Sequence, residues 1–236
     1  MRNMMRTIMA VGAACMLLCG CASLDNRSLK EKDTIVFLGD SITQEGVGPD
    51  GYVTLTSQAI AKAYPDLDVK VIGAGISGHK VPDCQKRLDH DVLRKKPTIV
   101  LIYIGINDVW WWNGRWGKGT TKEDFESGLY DMIKRINAVG ARVILCTPTV
   151  IGEKTDGTNE FDKMLEEYSD ISRKVAKETG SQLLDLREAF MTYLKEHNRD
   201  NVAKGILTRD TVHLSKNGNI FLSSLVLEAL NVPSSD

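Results

Sequence analysis

From residue 34 onward, short apolar runs alternate with stretches that are apolar on one face only. Thr34–Leu38 reads as a first strand ending at Gly39, and Val53–Ala63 as a helix with Pro65 just past its end. Val69–Ile72 reads as a second strand, followed by the glycine-rich Gly73–Gly78. Thr98–Ile104 is almost continuously apolar, the pattern of a parallel strand covered on both faces. A helix follows over Lys122–Val139, with Phe125, Leu129, Met132, Ile133 and Ile136 on one face at the helical period. Thr120 and Glu123 have the spacing of a capping box at its start, and Gly140 is a natural stop. Arg142–Cys146 is a fourth strand. Phe161, Leu165, Tyr168, Ile171 and Val175 mark the next helix, which stops at Gly180. Gln182–Asp185 is a fifth strand, and Leu186–His197 and Lys216–Leu230 are the last helices.

Five strands separated by helices predict a three-layer α/β/α sandwich around a five-stranded parallel sheet. Residues 34–236 then form one domain, without internal repeat or low-complexity stretch. In such a sheet the chemistry belongs at the C-terminal ends of the strands.

The first residues follow a different pattern. Arg2 and Arg6 precede an apolar run from Ile8 to Leu18, shorter than the roughly 20 residues that a membrane span needs. This is the layout of an export signal. It ends Leu18-Cys19-Gly20-Cys21, which resembles a bacterial lipobox and implies a lipid on Cys21. Residues 1–21 are therefore expected to be a lipoprotein signal and residues 22–33 a polar tether. The expected location is outside the cytoplasm, membrane-anchored, in the outer membrane and periplasm or at the cell surface.

Charge excludes one class of partner. Among 236 residues, Lys+Arg total 30 and Asp+Glu total 31. That leaves no basic excess to hold nucleic-acid phosphates and points to a neutral or weakly charged small molecule. Outside the export segment only Cys84 and Cys146 remain. Cys146 sits in an apolar run, so two free thiols are expected rather than a disulfide.

Reactive residue types follow the strands directly. Gly39-Asp40-Ser41 comes after the first, where a tight turn can expose the Ser41 hydroxyl; a helix cap explains the same residues. Gly73-Ala74-Gly75-Ile76-Ser77-Gly78 comes after the second and lets a backbone N–H approach a ligand closely. Gly105-Ile106-Asn107-Asp108 comes after the third, with Asn107 as an uncharged donor for negative charge developing on oxygen. Near the C-terminus, Asp210 precedes His213 by three residues, close enough to orient the imidazole, and Ser215 suits the cap of the last helix. No His-Glu-x-x-His or clustered cysteine suggests zinc, and no cofactor is called for.

Together, in this order, these segments resemble the SGNH (GDSL-type) hydrolase family over about Ile35 to Gly218. The resemblance implies a flavodoxin-like α/β fold and a serine esterase working through an acyl-enzyme. Ser41 is then the nucleophile, His213 the base and Asp210 its orienting partner. Ser41 N–H, Gly78 N–H and the Asn107 amide would form the oxyanion hole. The second motif departs from the family pattern, with Gly73 where Asn is usual and His79 where Asp is common.

Trp110, Trp111, Trp112 and Trp116 follow Asp108 closely and offer flat faces for a sugar ring or an acyl chain. Trp110, Trp111 and His79 are candidate substrate contacts, and the polar stretch Gly152–Asn159 reads as a solvated connection at the rim. The favoured substrate is a short acyl, such as acetyl, ester of a carbohydrate. The alternatives are a lysophospholipase or thioesterase and, in another class, a non-catalytic glycan-binding lipoprotein. Oligomeric state is not encoded in any pattern of the chain.

Overall fold

The sheet runs in the order β2-β1-β3-β4-β5, every pair parallel. The strands are β1 (Thr34–Gly39), β2 (Lys70–Gly75), β3 (Ile99–Tyr103), β4 (Arg142–Cys146) and β5 (Gln182–Leu184). The structure is a computed structural model and describes residues 28–114 and 117–233. The export segment with Cys21, most of the tether, Arg115 and Trp116 lie outside the described residues.

Eight α-helices connect and flank the described strands: α1 (Ser41–Gly46), α2 (Tyr52–Ala63), α3 (Val81–Asp91), α4 (Ile106–Trp110), α5 (Lys122–Ala138), α6 (Asp162–Thr179), α7 (Leu186–His197) and α8 (Lys216–Ala229). Helix α2 packs on α8, while α3 packs on α5 and α5 on α6. Every residue of β3 is buried, as its continuous apolar run requires when helices cover both faces. The predicted α/β sandwich is therefore the observed one.

The chain moves from β1 outward to β2 and then back across to β3 on the other side. That reversal opens a crevice at the C-terminal ends of β1 and β3, the place where open α/β sheets bind ligands.

Four local expectations need correction. The second strand runs on through the glycines to Gly75, because Phe37, Leu38 and Gly39 of β1 continue to pair with Gly73, Ala74 and Gly75. Helix α3 was not apparent from periodicity, yet Val81, Cys84 and Leu88 form its buried stripe and Pro82 occupies its first turn. The cap of α5 is Thr121, which accepts from the Asp124 N–H at 3.1 Å. Thr120 is instead buried, its carbonyl accepting from the Tyr168 hydroxyl. Finally, the end of the tether joins the fold: Asp33 is buried, Leu29 packs on the core, and Lys32 N–H donates to Leu67 O at 2.7 Å.

Candidate active site

Ser41 is the first residue of α1, two residues past the end of β1 at Gly39. Asp40 caps that helix by accepting from Ile42 N–H at 3.0 Å. The first N–H groups of a helix have no acceptor within it, so the Ser41 amide has no partner inside α1.

His213 arrives from 172 residues away and places Nε2 at 2.9 Å from Ser41 Oγ. Its Nδ1 lies 2.8 Å from Asp210 Oδ2, and its backbone N–H donates to Asp210 Oδ1 at 2.8 Å. A carboxylate at Nδ1 holds the proton there and leaves Nε2 as the acceptor facing serine. Asp210 lies exposed at the surface, and the desolvation it does undergo would by itself raise its pKa. The N–H and ring bonds from His213 outweigh that and hold the carboxyl below its usual range. Asp210 therefore remains an anion at neutral pH. Ser215 caps α8 by accepting from Gly218 N–H at 3.1 Å, which fixes the chain just past His213.

Arg209, next to Asp210, forms two bonds of 2.9 and 2.8 Å with Glu45 of α1. This paired contact joins the histidine loop to the helix that begins with Ser41. It lies at the surface and adds little to stability.

Asn107 lies in α4 at the end of β3 and is buried. Its side-chain amide donates to His79 O at 3.1 Å and to Asp40 Oδ2 at 3.3 Å. Asn107 thus bridges the Asp40-Ser41 turn and the glycine loop. Gly78 sits in that loop at φ +77°, where an L side chain is strained, and an added Cβ would lie 3.3 Å from the Trp111 ring. Gly75, by contrast, lies in β2 with its Cβ position closed off 2.1 Å from Gln44 N. Of the two glycines, Gly78 is the one next in sequence to His79, whose carbonyl Asn107 holds.

The irregular second motif has its own support. Ser77 N–H donates to Gln44 Oε1 at 2.6 Å. Arg87 of α3, its side chain 10% exposed, donates to Gly39 O at 2.7 Å, Ala74 O at 2.8 Å and His79 Nδ1 at 3.0 Å. One guanidinium therefore ties the ends of β1 and β2 to the histidine that replaces the usual Asp. Partial burial and the Arg87 charge lower the His79 pKa. With Nδ1 accepting, the ring is neutral and carries its proton on Nε2.

Two buried carboxyl groups flank Asn107. Burial pushes Asp40 up to about 7, with the charge of Asp108 adding to the effect and the Ile42 N–H opposing it. Burial likewise raises Asp108 to about 6. Asp108 accepts from Val81 N–H at 3.0 Å and so anchors the start of α3.

Trp110 and Trp111 are half-buried and Trp112 is exposed, while Trp116 is outside the described residues. The Trp111 ring stacks under Lys80 Nζ at 4.3 Å. Trp110 borders an open cavity of about 300 Å³, shared with Ile151, Asn159, Phe161 and Thr211. Thr211 places this cavity against the Asp210–His213 turn. The stretch Gly152–Asn159 is not simply a solvated connection, because Glu153 within it is fully buried. Glu153, Arg87 and Gln44 were not found from the sequence. A charged or amide residue in a polar stretch carries no signal that its partner is buried and distant.

Residues 37–219 match the model of the GDSL-like Lipase/Acylhydrolase family. An acetylxylan esterase of Geobacillus stearothermophilus is 31% identical over 84% of this chain and 94% of its own length. The isoamyl acetate-hydrolyzing esterase 1 homolog of Mus musculus is 25% identical over 80% of this chain and 77% of its own. Among solved structures, the acetyl xylan esterase AlAXEase superposes with a TM-score of 0.81 at 40% identity, covering 83% of this chain and 98% of that one. Axe2, an acetylxylan esterase from Geobacillus stearothermophilus, does so with a TM-score of 0.77 at 28% identity, covering 88% of this chain and 100% of that one. With a serine, a histidine and an aspartate in hydrogen-bonded sequence at the switch point of the sheet, the chain is a carboxylic ester hydrolase and belongs to the GDSL-like lipase/acylhydrolase family.

Proposed function

We propose that this hydrolase removes acetyl groups from an acetylated carbohydrate, with Ser41 as nucleophile, His213 as general base and Asp210 as its orienting partner. The observation that carries the reading is the unbroken relay from Ser41 Oγ through His213 to Asp210, with spans of 2.9 and 2.8 Å. His213 Nε2 takes the serine proton as Oγ attacks the ester carbonyl. The oxyanion forms between Ser41 N–H, Gly78 N–H and the Asn107 amide. Asn107 gives up the longer of its two bonds, the one to Asp40, to reach it. His213 then protonates the leaving sugar hydroxyl, and water repeats the sequence on the acetyl-enzyme.

The carbohydrate assignment draws on the two acetylxylan esterases to which the chain is similar. Trp110, Trp111 and His79 are proposed to contact the sugar. A half-buried indole beside a cavity of about 300 Å³ provides a flat stacking face. His79 Nε2–H offers an uncharged donor for a hydroxyl group.

A fluorophosphonate probe tests the nucleophile: the wild type labels at Ser41 and Ser41→Ala does not. Failure of the folded wild type to label would favour a glycan-binding protein without catalysis. A panel of p-nitrophenyl acetate and decanoate, then acetylated xylan and lysophospholipid, tests the substrate. Preference for decanoate and lysophospholipid would replace the acetyl reading with a lysophospholipase or thioesterase one.

The same proposal places the enzyme outside the cytoplasm, held to a membrane by lipid on Cys21. The support is the lipobox-like sequence alone. Incorporation of labelled fatty acid by the wild type, and its loss in Cys21→Ala, is the expected result. Equal incorporation by both would remove the anchor from this residue.

A further inference from the structure

The loop after β4 carries a glutamate that the reaction does not use. Glu153 is 0% exposed. Its carboxyl oxygens accept from Ile206 N–H at 2.8 Å, from Leu207 N–H at 2.7 Å and from Thr208 N–H. Three successive amides turned toward one point form a concave anion site, and here a side chain of the same protein fills it. The backbone adds to the anchor: Glu153 N–H donates to Ala203 O at 2.9 Å, and Asn198 Nδ2 donates to Glu153 O at 2.7 Å.

These amides begin the segment that delivers Asp210 and His213. Leu207 O accepts from Ser215 N–H at 2.8 Å, and Arg209 N–H donates to His213 O at 2.8 Å, so the segment folds back on itself. At its tip, Thr211 has φ +91°. A β-branched residue in that region is strained and stays there only if its surroundings hold it. The restraint is Gly152, whose N–H donates to Thr211 O at 2.8 Å. Neighbouring residues 152 and 153 thus grip both the entry and the strained tip of the turn between the two catalytic side chains.

We propose that Glu153 is a positioning residue: by neutralising three amides it clamps the 206–213 segment in the strained form that sets the distance from His213 to Ser41. The proposal rests on the Ser41–His213–Asp210 assignment. Loss of its carboxylate leaves donors unpaired and lets the turn relax, which misplaces the imidazole.

The test is Glu153→Gln, assayed on p-nitrophenyl acetate below its unfolding temperature, with His213→Ala in parallel. The expected result is a fall in kcat on the order of 100-fold that exceeds any change in KM. Glycine tolerates positive φ, so adding Thr211→Gly to Glu153→Gln should recover about tenfold of the lost kcat by lowering the strain to be held. A folded Glu153→Gln with wild-type kcat, or with a loss confined to KM, overturns the proposal while His213→Ala remains inactive. Full activity in His213→Ala would instead end the triad assignment. Should Glu153→Gln not fold, hydrogen exchange of the wild type decides. Leu207 and Thr208 amides must exchange as slowly as those of β3, and exchange at the rate of exposed loops overturns the clamp.

Discussion

Asp40, Asn107 and Asp108 form a buried polar cluster, with the Asn107 amide bound to Asp40 Oδ2. Removing one oxyanion donor typically costs about 100- to 1,000-fold in rate. Asn107→Ala is therefore expected to lower kcat by that order while His213→Ala abolishes turnover; equal residual activity in the two would count against a donor role for Asn107. Asp40 gives a pH signature. Its carboxyl ionises near 3.8 when unfolded and at about 7 when folded. Between those values the folded chain holds a proton that the unfolded chain has released, so stability falls as pH rises through this window. Asp40→Asn cannot titrate. Its melting temperature relative to the wild type should climb between about pH 4 and pH 7, each unit being worth at most about 1.4 kcal/mol. Parallel melting curves across that range would contradict the raised pKa. At this scale Ser41 and Asn107 were legible because each sits in a short motif next to a strand, and Asp210 and His213 because they form a close pair just before the last helix. Arg87 and Glu153 were not, since an isolated charged residue in a polar segment reads as solvated.

Helix boundaries show how far local pattern reaches. Helix α5 keeps its apolar stripe in register with the sequence period, but its cap moves by one residue because Thr120 is drawn into the interior. Thr120 N–H donates to Asp108 O at 3.0 Å, which takes that residue out of capping position. Thr121→Ala should cost about 1 kcal/mol and speed exchange of the Asp124 amide. Thr120→Ala should leave that amide protected; hydrogen exchange by NMR distinguishes the two. Helix α3 was missed because its buried stripe is only three residues long in an otherwise polar stretch. The central strands β1, β3 and β4 were plain because burial on both faces demands unbroken apolar runs.

For the molecule as a whole, the two cysteines among the described residues report on integrity. Cys84 lies in α3 and Cys146 in β4, and both are free and buried. Burial pushes the Cys84 thiol up to about 12 and raises that of Cys146 as well. In the chain from Ala22 onward, neither should react with an aromatic disulfide reagent in the native state at neutral pH. Both should appear in one cooperative step with denaturant; early release of either would mean a part of the sheet opens separately. The expectation of two free thiols and the observed burial agree.

Read alone, the sequence determined the alternation of strand and helix, the parallel sheet, and the presence of a serine, an asparagine and an aspartate–histidine pair at the edges of its elements. Those properties follow from unbroken apolar runs, the helical period of 3.6 residues and motifs a few residues long, which are local by nature. Only the tertiary structure decided that Ser41 meets a histidine 172 residues away, that Arg87 braces the glycine loop, and that Glu153 accepts from the amides of the segment leading to His213. Distances, burial and pKa shifts arise from groups brought together by packing, and spacing along the chain does not show which polar groups will meet.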